Sequence, residues 1–130
     1  MINYRRTLIH GMAAAAVALT AAPGIAQTAA SNWPNKPIRY IVPFAPGGTT
    51  DILARTIGER LGAALGQPIV VENKPGQGGS IGVAELARAA PDGYTIGGGT
   101  ISSHAINATL YDKLSYDPVT SFAPITMYAT

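Results

Sequence analysis

A glycine-rich turn stands between a predicted strand at 38–42 and residues 52–57, whose apolar spacing is helical. The turn reads Pro43-Phe44-Ala45-Pro46-Gly47-Gly48-Thr49-Thr50-Asp51. The first N–H groups of a helix have no acceptors within the helix and lie at the positive end of its dipole, so they can hold an anion. Because glycine has no Cβ, Gly47 and Gly48 let a ligand reach this backbone. On these residues alone, an anion site and a plain reversing turn are both open.

Two more loops of similar composition follow predicted strands at 69–72 and 94–97. They read Asn73-Lys74-Pro75-Gly76-Gln77-Gly78-Gly79-Ser80 and Gly98-Gly99-Thr100-Ile101-Ser102-Ser103-His104. Three successive β-loop-α units predict a parallel sheet of the α/β class with right-handed crossovers. The carboxyl ends of parallel strands share one edge, which is where open α/β sheets bind ligands. The repetition favours a binding edge, because a turn that only reverses the chain does not need this composition three times.

The polar side chains of these loops have two possible uses, capping a helix or binding a ligand. Asp51 lies in the first predicted helical turn, where a carboxylate accepts hydrogen bonds from backbone N–H groups. A general base would need a partner, and the sequence offers none, so we expect the structural role, with water-mediated ligand contact as the alternative. Ser80 is predicted to be the N-cap of the second helix. Both uses stay open for Thr49, Thr50, Thr100, Ser102 and Ser103.

The residue types exclude several other kinds of site. Neither the GxGxxG pattern of dinucleotide sites nor the GxxxxGK[ST] phosphate loop occurs. Cysteine is absent, which excludes disulfides and thiolate metal sites. His104 is the only histidine beyond His10, and a lone histidine without a nearby carboxylate predicts packing or surface exposure. We therefore expect no catalytic residue, no metal and no cofactor.

Residues 1–26 have the pattern of a secretory signal peptide. Arg5 and Arg6 precede an almost uncharged segment rich in Ala and Leu, and small residues follow at 24–26. A membrane anchor is the competing interpretation, but the apolar segment, interrupted by His10 and Gly11, is shorter than the ~20 residues of a spanning helix. Because Arg5-Arg6 also fits a twin-arginine signal, the export route stays open.

The charges of the remaining residues, 27–130, balance. Two of the nine Lys and Arg residues are Arg5 and Arg6, which leaves seven against seven Asp and Glu. A nucleic-acid partner would need a clustered basic face, so we expect none. The high apolar content, 47%, suits one α/β domain that its core holds together without disulfides.

The pattern also predicts a helix at 50–65, a short helix at 105–111 and a fourth strand at 125–129. The first helix has an apolar stripe at i+4 spacing, formed by Leu53, Ile57, Leu61 and Leu65. Gly58 and Gly62 weaken this helix and predict close packing on the sheet. Trp33 and Pro34 are expected to lie against the body of the domain. Because no turn, helix or polar tail follows the last strand, we expect the sequence to be a fragment.

Several long segments between 33 and 130 carry a family resemblance. They are Pro34-Asn35-Lys36-Pro37-Ile38-Arg39, Val42-Pro43-Phe44-Ala45-Pro46-Gly47-Gly48-Thr49-Thr50-Asp51, Gly66-Gln67-Pro68-Ile69-Val70-Val71-Glu72-Asn73-Lys74-Pro75-Gly76, Ala90-Pro91-Asp92-Gly93-Tyr94-Thr95 and Tyr116-Asp117-Pro118. In order and spacing they resemble the Bug family, the periplasmic solute receptors of tripartite tricarboxylate transporters. Members of that family continue into a second α/β lobe, so we expect residues 27–130 to form the first part of one lobe.

The resemblance implies the first lobe of a two-lobed periplasmic-binding-protein fold, with a parallel sheet, mixed at the edge, and flanking helices. It implies a periplasmic monomer that closes on a small organic acid (a di- or tricarboxylate, an aromatic acid or an amino acid) and works with membrane-embedded transporter subunits. It places the first loop at one ligand carboxylate, reached partly through water. The expected ligand contacts are Phe44, Ala45, Gly47, Gly48, Thr49, Thr50, Asp51, Gly79, Ser80, Thr100 and Ser102.

Two alternative functions remain at this stage. The same lobe could act as a sensor that presents its ligand to the outer domain of a signalling kinase. The chain could also be an exported enzyme that uses Asp51 or His104. Which acid would bind is left open, because the missing lobe would share its selection.

Overall fold

The structure, a computed structural model, describes residues 32–129 and shows a parallel sheet of three strands. The strands are β1 (Ile38–Val42), β2 (Ile69–Asn73) and β3 (Thr95–Gly97), in the order β2-β1-β3. Both pairings of β1 are parallel. The predicted α/β class and parallel sheet are therefore confirmed, and the strands of the described residues include no mixed edge. The predicted signal peptide lies outside the described residues.

Three helices accompany the strands: α1 (Thr49–Leu65), α2 (Ser80–Ala87) and α3 (Asn107–Leu110). A 3-10 turn at Gln77–Gly79 leads into α2, and a π-helical turn at Ser102–Ile106 leads into α3. The third helical segment thus begins earlier than the predicted 105–111. No helix among residues 32–129 has the length and apolar character needed to cross a membrane.

β1 lies between the other two strands and forms the centre of the core. Ile38, Ile41 and Val42 are each 1% exposed. A parallel strand buried on both faces has a nearly continuous apolar sequence. This is why the run at 38–42 was recognisable without its neighbours.

α1 covers one face of the sheet through small residues. Ala54 packs with Tyr40 and Val42 of β1. A Cβ placed on Gly58 would lie 3.3 Å from Ile69 Cγ2, so the lack of a side chain lets the helix lie close to β2. The close packing predicted from the helical glycines is confirmed.

The predicted apolar stripe is not the most buried line of α1. The buried residues are Asp51, Ala54 and Gly58, at i, i+3 and i+7. The stripe residues lie beside that line and are only half-buried: Leu53, Ile57, Leu61 and Leu65. Small residues occupy the line of closest approach because bulky side chains there would hold the helix away from the sheet.

α2 covers the opposite face. Successive side chains of a strand point to opposite faces, so Arg39 lies on the side away from α1, and its Nη2 is 2.8 Å from Glu85 Oε1 of α2. Val83 and Ala84 of the same helix pack with Tyr116. Helices on opposite faces are what right-handed crossovers require for the order β2-β1-β3.

The prediction of a fourth strand at 125–129 is wrong. These residues pair with no strand among the described residues, and Ile125 and Met127 are about four-fifths exposed. The segment is held through a side chain instead, because the Tyr128 hydroxyl lies 3.2 Å from the Tyr40 hydroxyl. An alternating apolar pattern predicts a strand only if a neighbour accepts its hydrogen bonds.

Trp33 lies where it was expected, against the body of the domain. Its ring is 6.1 Å from that of Tyr94, and a Cβ on Gly93 would lie 3.0 Å from its indole atoms. Positive φ at Gly93, 79°, makes the turn before β3 that this contact needs.

Candidate functional site

The three glycine-rich loops meet at the carboxyl edge of the sheet. We define them as the first loop (43–48), the second loop (74–79) and the third loop (98–104). A Cβ on Gly79 would lie 3.3 Å from Pro43 Cβ, 3.3 Å from Phe44 Cζ and 3.4 Å from Ser103 Cβ. Gly79 of the second loop is thus in contact with both of the others. The shared edge that the β-loop-α pattern predicts is present.

α1 begins at this edge without a side-chain cap. Gly48 precedes the helix in an extended conformation (φ −78°, ψ 168°), and no side chain of residues 32–129 caps the first turn. The N–H groups of Thr49 and Thr50 have no acceptor in the helix and remain available as donors. Gly48 and Thr49 are exposed, so an anion can approach the positive end of this 17-residue helix.

Asp51 is a structural carboxylate beneath that helix start. It is 4% exposed, and its oxygens accept hydrogen bonds from Arg55, from the Gly47 N–H (2.8 Å) and from Asn73 Nδ2 (3.0 Å). These bonds, that of Arg55 most of all, lower the pKa of Asp51 to about 2. The predicted structural role is confirmed, and the charge of Asp51 is matched by Arg55 within the protein.

The rest of the first loop is fixed by the same contacts. Phe44 packs into the core on the α1 side, and its carbonyl oxygen accepts a hydrogen bond from Asn73 Nδ2 at 3.0 Å. Gly47 has a φ of 81°, which a residue with a side chain rarely adopts. Ala45 is exposed at the tip. Asn73, at the end of β2, therefore holds the first loop and the Asp51 carboxylate together.

Ser80 is not the N-cap of α2, contrary to the prediction. Gly79 (φ 94°) precedes the helix, and no side chain among the described residues caps it. The hydroxyl of Ser80 is buried, where its Oγ accepts a hydrogen bond from Asn107 Nδ2 (2.8 Å) and lies 3.4 Å from the Tyr116 hydroxyl. The N–H of Gly79 donates to the Gly76 carbonyl at 2.9 Å. Neither polar group is free to bind a ligand in this conformation.

The residues Gly78-Gly79-Ser80-Ile81-Gly82 have the GxSxG spacing of a nucleophile elbow. In the α/β-hydrolases that carry this elbow, a histidine is the base that activates the serine. Among the described residues, the hydrogen-bond partners of the Ser80 hydroxyl are Asn107 and Tyr116. The spacing therefore does not assemble a Ser–His pair here.

In the third loop, the hydroxyl groups of Thr100 and Ser103 accept hydrogen bonds from backbone N–H groups of the loop itself. The Thr100 N–H donates to Ser103 Oγ (3.0 Å), and the Ser103 N–H donates to Thr100 Oγ1 (3.3 Å). This reciprocal pair has the form of a capping box. The hydroxyl of Ser102 donates to the Gly78 carbonyl oxygen at 3.1 Å and so joins the third loop to the second. Composition alone could not separate these uses from ligand binding.

His104 has the packing role expected of it. Its ring lies 5.0 Å from that of Phe122 and 6.3 Å from that of Tyr116, and its Nδ1 is 2.9 Å from Ser103 Oγ. Burial lowers the pKa of the imidazole. Within residues 32–129, no group of three His, Asp or Glu side chains could hold a metal ion.

A network of four charged side chains lies behind the loops, on the α2 face. Arg39 contacts Glu72 at 2.7 Å and Glu85 at 2.8 Å, and Lys74 lies 3.7 Å and 3.5 Å from the same two carboxylates. Hydrogen bonds from Arg39 lower the pKa of both glutamates. The network ties β1, β2 and α2 together below the binding edge.

Sequence reasoning missed Asn73, Asn107 and Tyr116, although their hydrogen bonds link the loops. Asn73 had a local signal, because an amide side chain at the end of a strand can reach the neighbouring loop. Asn107 lay unremarked in a predicted helix, and Tyr116 appeared only within a resemblance motif. Their partners lie too far away along the chain for local spacing to indicate them.

A parallel sheet with its loops gathered at one edge and helices on both faces has the architecture of an α/β lobe, and this edge is where open α/β sheets bind ligands. The curated protein BugT of Bordetella pertussis is 40% identical over 103 residues, which are 78% of this chain and 32% of BugT. The periplasmic binding protein BugD is 44% identical with a TM-score of 0.65 over 72% of this chain and 31% of that structure.

Two similar structures contain dicarboxylates. MatC (Rpa3494) of Rhodopseudomonas palustris, with bound malate, is 42% identical with a TM-score of 0.67, and the match covers 70% of this chain and 31% of the MatC chain. Rpa4515 of R. palustris, with adipate, is 43% identical with a TM-score of 0.65, and the match covers 68% of this chain and 29% of the Rpa4515 chain.

The tripartite tricarboxylate transporter family receptor pattern matches residues 53–130, and the chain belongs to this family. The resemblance to the Bug receptors and the periplasmic-binding-protein lobe are confirmed. The family and these structures are solute-binding proteins, not enzymes. The chain spans about a third of the length of the relatives it matches.

Proposed function

We propose that the protein is a periplasmic receptor that captures a small dicarboxylate and delivers it to the membrane-embedded subunits of a tripartite tricarboxylate transporter. Family membership supports the receptor role. Malate in MatC and adipate in Rpa4515 favour a dicarboxylate over an aromatic acid or an amino acid. Residues 1–26 would direct export and be removed.

The observation that carries the proposal is the uncapped start of α1. The free N–H groups of an uncapped helix start can bind an anion, and the helix dipole favours negative charge there. We assign one ligand carboxylate to the N–H groups of Gly48, Thr49 and Thr50. Asp51 does not oppose it, because its charge is paired with that of Arg55, whose Nη2 lies 3.0 Å from Asp51 Oδ1.

The other predicted contacts have different roles in this proposal. Phe44, Ala45 and Gly47 shape the wall beside the carboxylate, and Thr100 and Ser102 border it from the third loop. Gly79 permits the contact between loops because it has no side chain. Asp51 acts through the Gly47 N–H that it holds, and Ser80 acts through its hydrogen bonds with Asn107 and Tyr116.

A thermal-shift panel on the full-length protein tests the ligand class. Malate, adipate, succinate, citrate, benzoate and leucine, an amino acid with a single carboxylate, serve as probes. A bound ligand at a hundredfold excess over its Kd stabilises a protein by about 2.7 kcal/mol, which is a readily measured rise in Tm. We expect the dicarboxylates to raise Tm most. A rise with benzoate or leucine alone would contradict the dicarboxylate assignment.

Replacing Thr49 tests the position of the carboxylate. Proline is favoured at the first helical position, and the extended Gly48 (ψ 168°) suits a following proline, so Thr49→Pro removes one N–H without breaking the helix. Thr49→Ala is the matched control, since it removes the side-chain hydroxyl and methyl groups but keeps the backbone N–H. A hydrogen bond to a charged group contributes about 1.5–3 kcal/mol, so we expect Thr49→Pro to bind about ten- to a hundredfold more weakly than Thr49→Ala. Equal affinities of the two variants would show that the start of α1 does not bind the carboxylate.

Co-purification distinguishes transport from sensing. The tagged, full-length receptor is cross-linked in cells grown on the acid identified by the panel. We expect the membrane subunits of a transporter among the partners. Recovery of a kinase outer domain in their place would support the sensor alternative.

N-terminal sequencing of the exported protein tests removal of residues 1–26.

A further inference from the structure

Asn107 is a buried amide that reaches back to the second loop. It is 1% exposed at the start of α3. Its Nδ2 lies 3.0 Å from the Gly78 carbonyl oxygen, 3.3 Å from the Gln77 carbonyl oxygen and 2.8 Å from Ser80 Oγ. The two N–H donors of one side-chain amide thus lie within hydrogen-bond distance of three acceptors in the second loop and at the start of α2, from about 30 residues further along the chain.

The backbone that Asn107 holds is unusual. Gln77, Gly78 and Gly79 have φ values of 46°, 60° and 94°, a run of positive values that includes a residue with a side chain. Left-handed conformations of such residues are disfavoured and persist only when surrounding contacts hold them. No local feature of a Gly-Gln-Gly-Gly sequence imposes this run, because glycine accepts either sign of φ. Within the loop, the Gly79 N–H donates to the Gly76 carbonyl and the Ser80 N–H donates to the Gln77 carbonyl. Asn107 adds contacts from outside the loop to the Gln77 and Gly78 carbonyl groups.

Fixing these carbonyl groups also fixes the N–H groups. A trans peptide is planar, and its N–H points opposite to its C=O. Because the Gln77 carbonyl faces Asn107, the N–H of Gly78 in the same peptide points away from Asn107. The hydroxyl of Ser102 grips the Gly78 carbonyl from the third loop at 3.1 Å. The orientation of the loop amides therefore depends on Asn107.

Ser80 and Tyr116 continue this series of hydrogen bonds to the third loop. The Tyr116 hydroxyl donates to the Ser103 carbonyl, so its oxygen can accept from the Ser80 hydroxyl 3.4 Å away. Ser80 Oγ in turn accepts from Asn107. Both hydrogen-bonding functions of the Ser80 hydroxyl are used inside the protein, and the chain of bonds runs from the second loop to the third.

We propose that Asn107 is a positioning residue for carboxylate binding: through Ser80 and the Gln77 and Gly78 carbonyl groups, it holds the second loop against Pro43 and Phe44 of the first loop, which leads into the proposed carboxylate site at the start of α1. The inference rests on the proposed carboxylate receptor function. It assigns Ser80 to the buried hydrogen bonds between Asn107 and Tyr116 and no longer to the ligand contacts. Asn107 acts through the loop and does not touch the ligand.

Asn107→Asp in the full-length protein tests the inference. The aspartate keeps the size of the side chain but replaces the NH₂ donors by an acceptor, which faces the Gln77 and Gly78 carbonyl oxygens. Asn35→Asp is the matched control, because Asn35 Oδ1 accepts from the Tyr94 hydroxyl at 2.9 Å, far from the loops, and a carboxylate can do the same. The readouts are affinity for malate and adipate by calorimetry and peptide-level hydrogen exchange.

We expect Asn107→Asp to weaken binding of the better probe at least tenfold and to speed exchange of the peptide covering 76–80 at least tenfold, with β1 peptides unchanged. Asn107→Ala should do the same, and Asn35→Asp should match the wild type. Wild-type affinity with fast loop exchange, or slow loop exchange with lost affinity, would overturn the positioning role.

A measurement on the wild-type protein covers the case in which neither variant folds. The side-chain NH₂ of Asn107 should exchange with solvent at least tenfold more slowly than that of Asn35, because its protons are buried and bonded. Equal rates would overturn the inference. If the wild type binds neither malate nor adipate, the receptor proposal for these acids fails, while the exchange data still decide whether Asn107 holds the loop.

Discussion

Gly82→Ala is the substitution whose effect the structure determines most directly. Gly82 lies in α2 where the helix crosses the first two loops. A Cβ there would lie 2.8 Å from the Lys74 carbonyl oxygen and 2.9 Å from Pro43 Cα. Both are backbone atoms that cannot rotate away. Favourable carbon contacts need about 3.5–4.0 Å, so either α2 or both loop starts must shift by more than half an ångström.

The expected cost follows from two opposing terms. Overpacking of a core typically costs about 1–3 kcal/mol. Replacing glycine by alanine within a helix contributes about 1 kcal/mol in the other direction. Because two rigid contacts fall below 3.0 Å, we expect the upper part of the range and a net loss of about 1–2 kcal/mol in the free energy of unfolding.

Gly58→Ala is the matched control, because it makes the same exchange in a helix. Its Cβ would meet only side-chain atoms of Ile69, at 3.3 and 3.4 Å, which can adjust. We expect Gly58→Ala to lie within about 1 kcal/mol of the wild type. Urea denaturation of both variants measures the difference, and carboxylate affinity should fall in Gly82→Ala alone, since Pro43 and Lys74 begin two loops of the site. Gly82→Ala as stable as Gly58→Ala would refute the close approach of α2.

Two further predictions concern pH. The pKa of Asp51 is lowered to about 2 from an unfolded value of about 3.9, so its contribution to stability is complete above pH 4 and is lost as the pH falls through about 2. The urea midpoint of Asp51→Asn should therefore fall less than that of the wild type between pH 5 and pH 2, and parallel curves would contradict the bonds to Arg55. Burial lowers the pKa of His104 below about 6.5, so the unfolded chain binds the proton more readily and stability falls as the pH drops below that value. His104→Phe, which retains a ring against Phe122, should flatten the profile between pH 7 and pH 5, and an unchanged slope would show that His104 is solvated.

The sequence by itself determined the elements with local signatures. The apolar run of β1 and the strand-loop-helix order predicted the parallel sheet, because a parallel pair requires a crossover and both faces buried. The position of Asp51 in a first helical turn indicated its structural role, and Gly58 indicated close packing. Each of these inferences depends on residues within a few positions of one another.

The tertiary structure decided which polar groups remain free. From the sequence, Thr100 and Ser80 could be ligand contacts or helix caps. In the structure, their hydroxyl oxygens accept hydrogen bonds from the Ser103 N–H and from the Asn107 side chain. The strand predicted at 125–129 has no pairing partner among the described residues. A hydrogen bond needs both of its groups in place, and folding chooses the partner from distant parts of the chain. Local sequence therefore marked the binding edge, while contacts across about 30 residues determined which of its donors can reach a ligand.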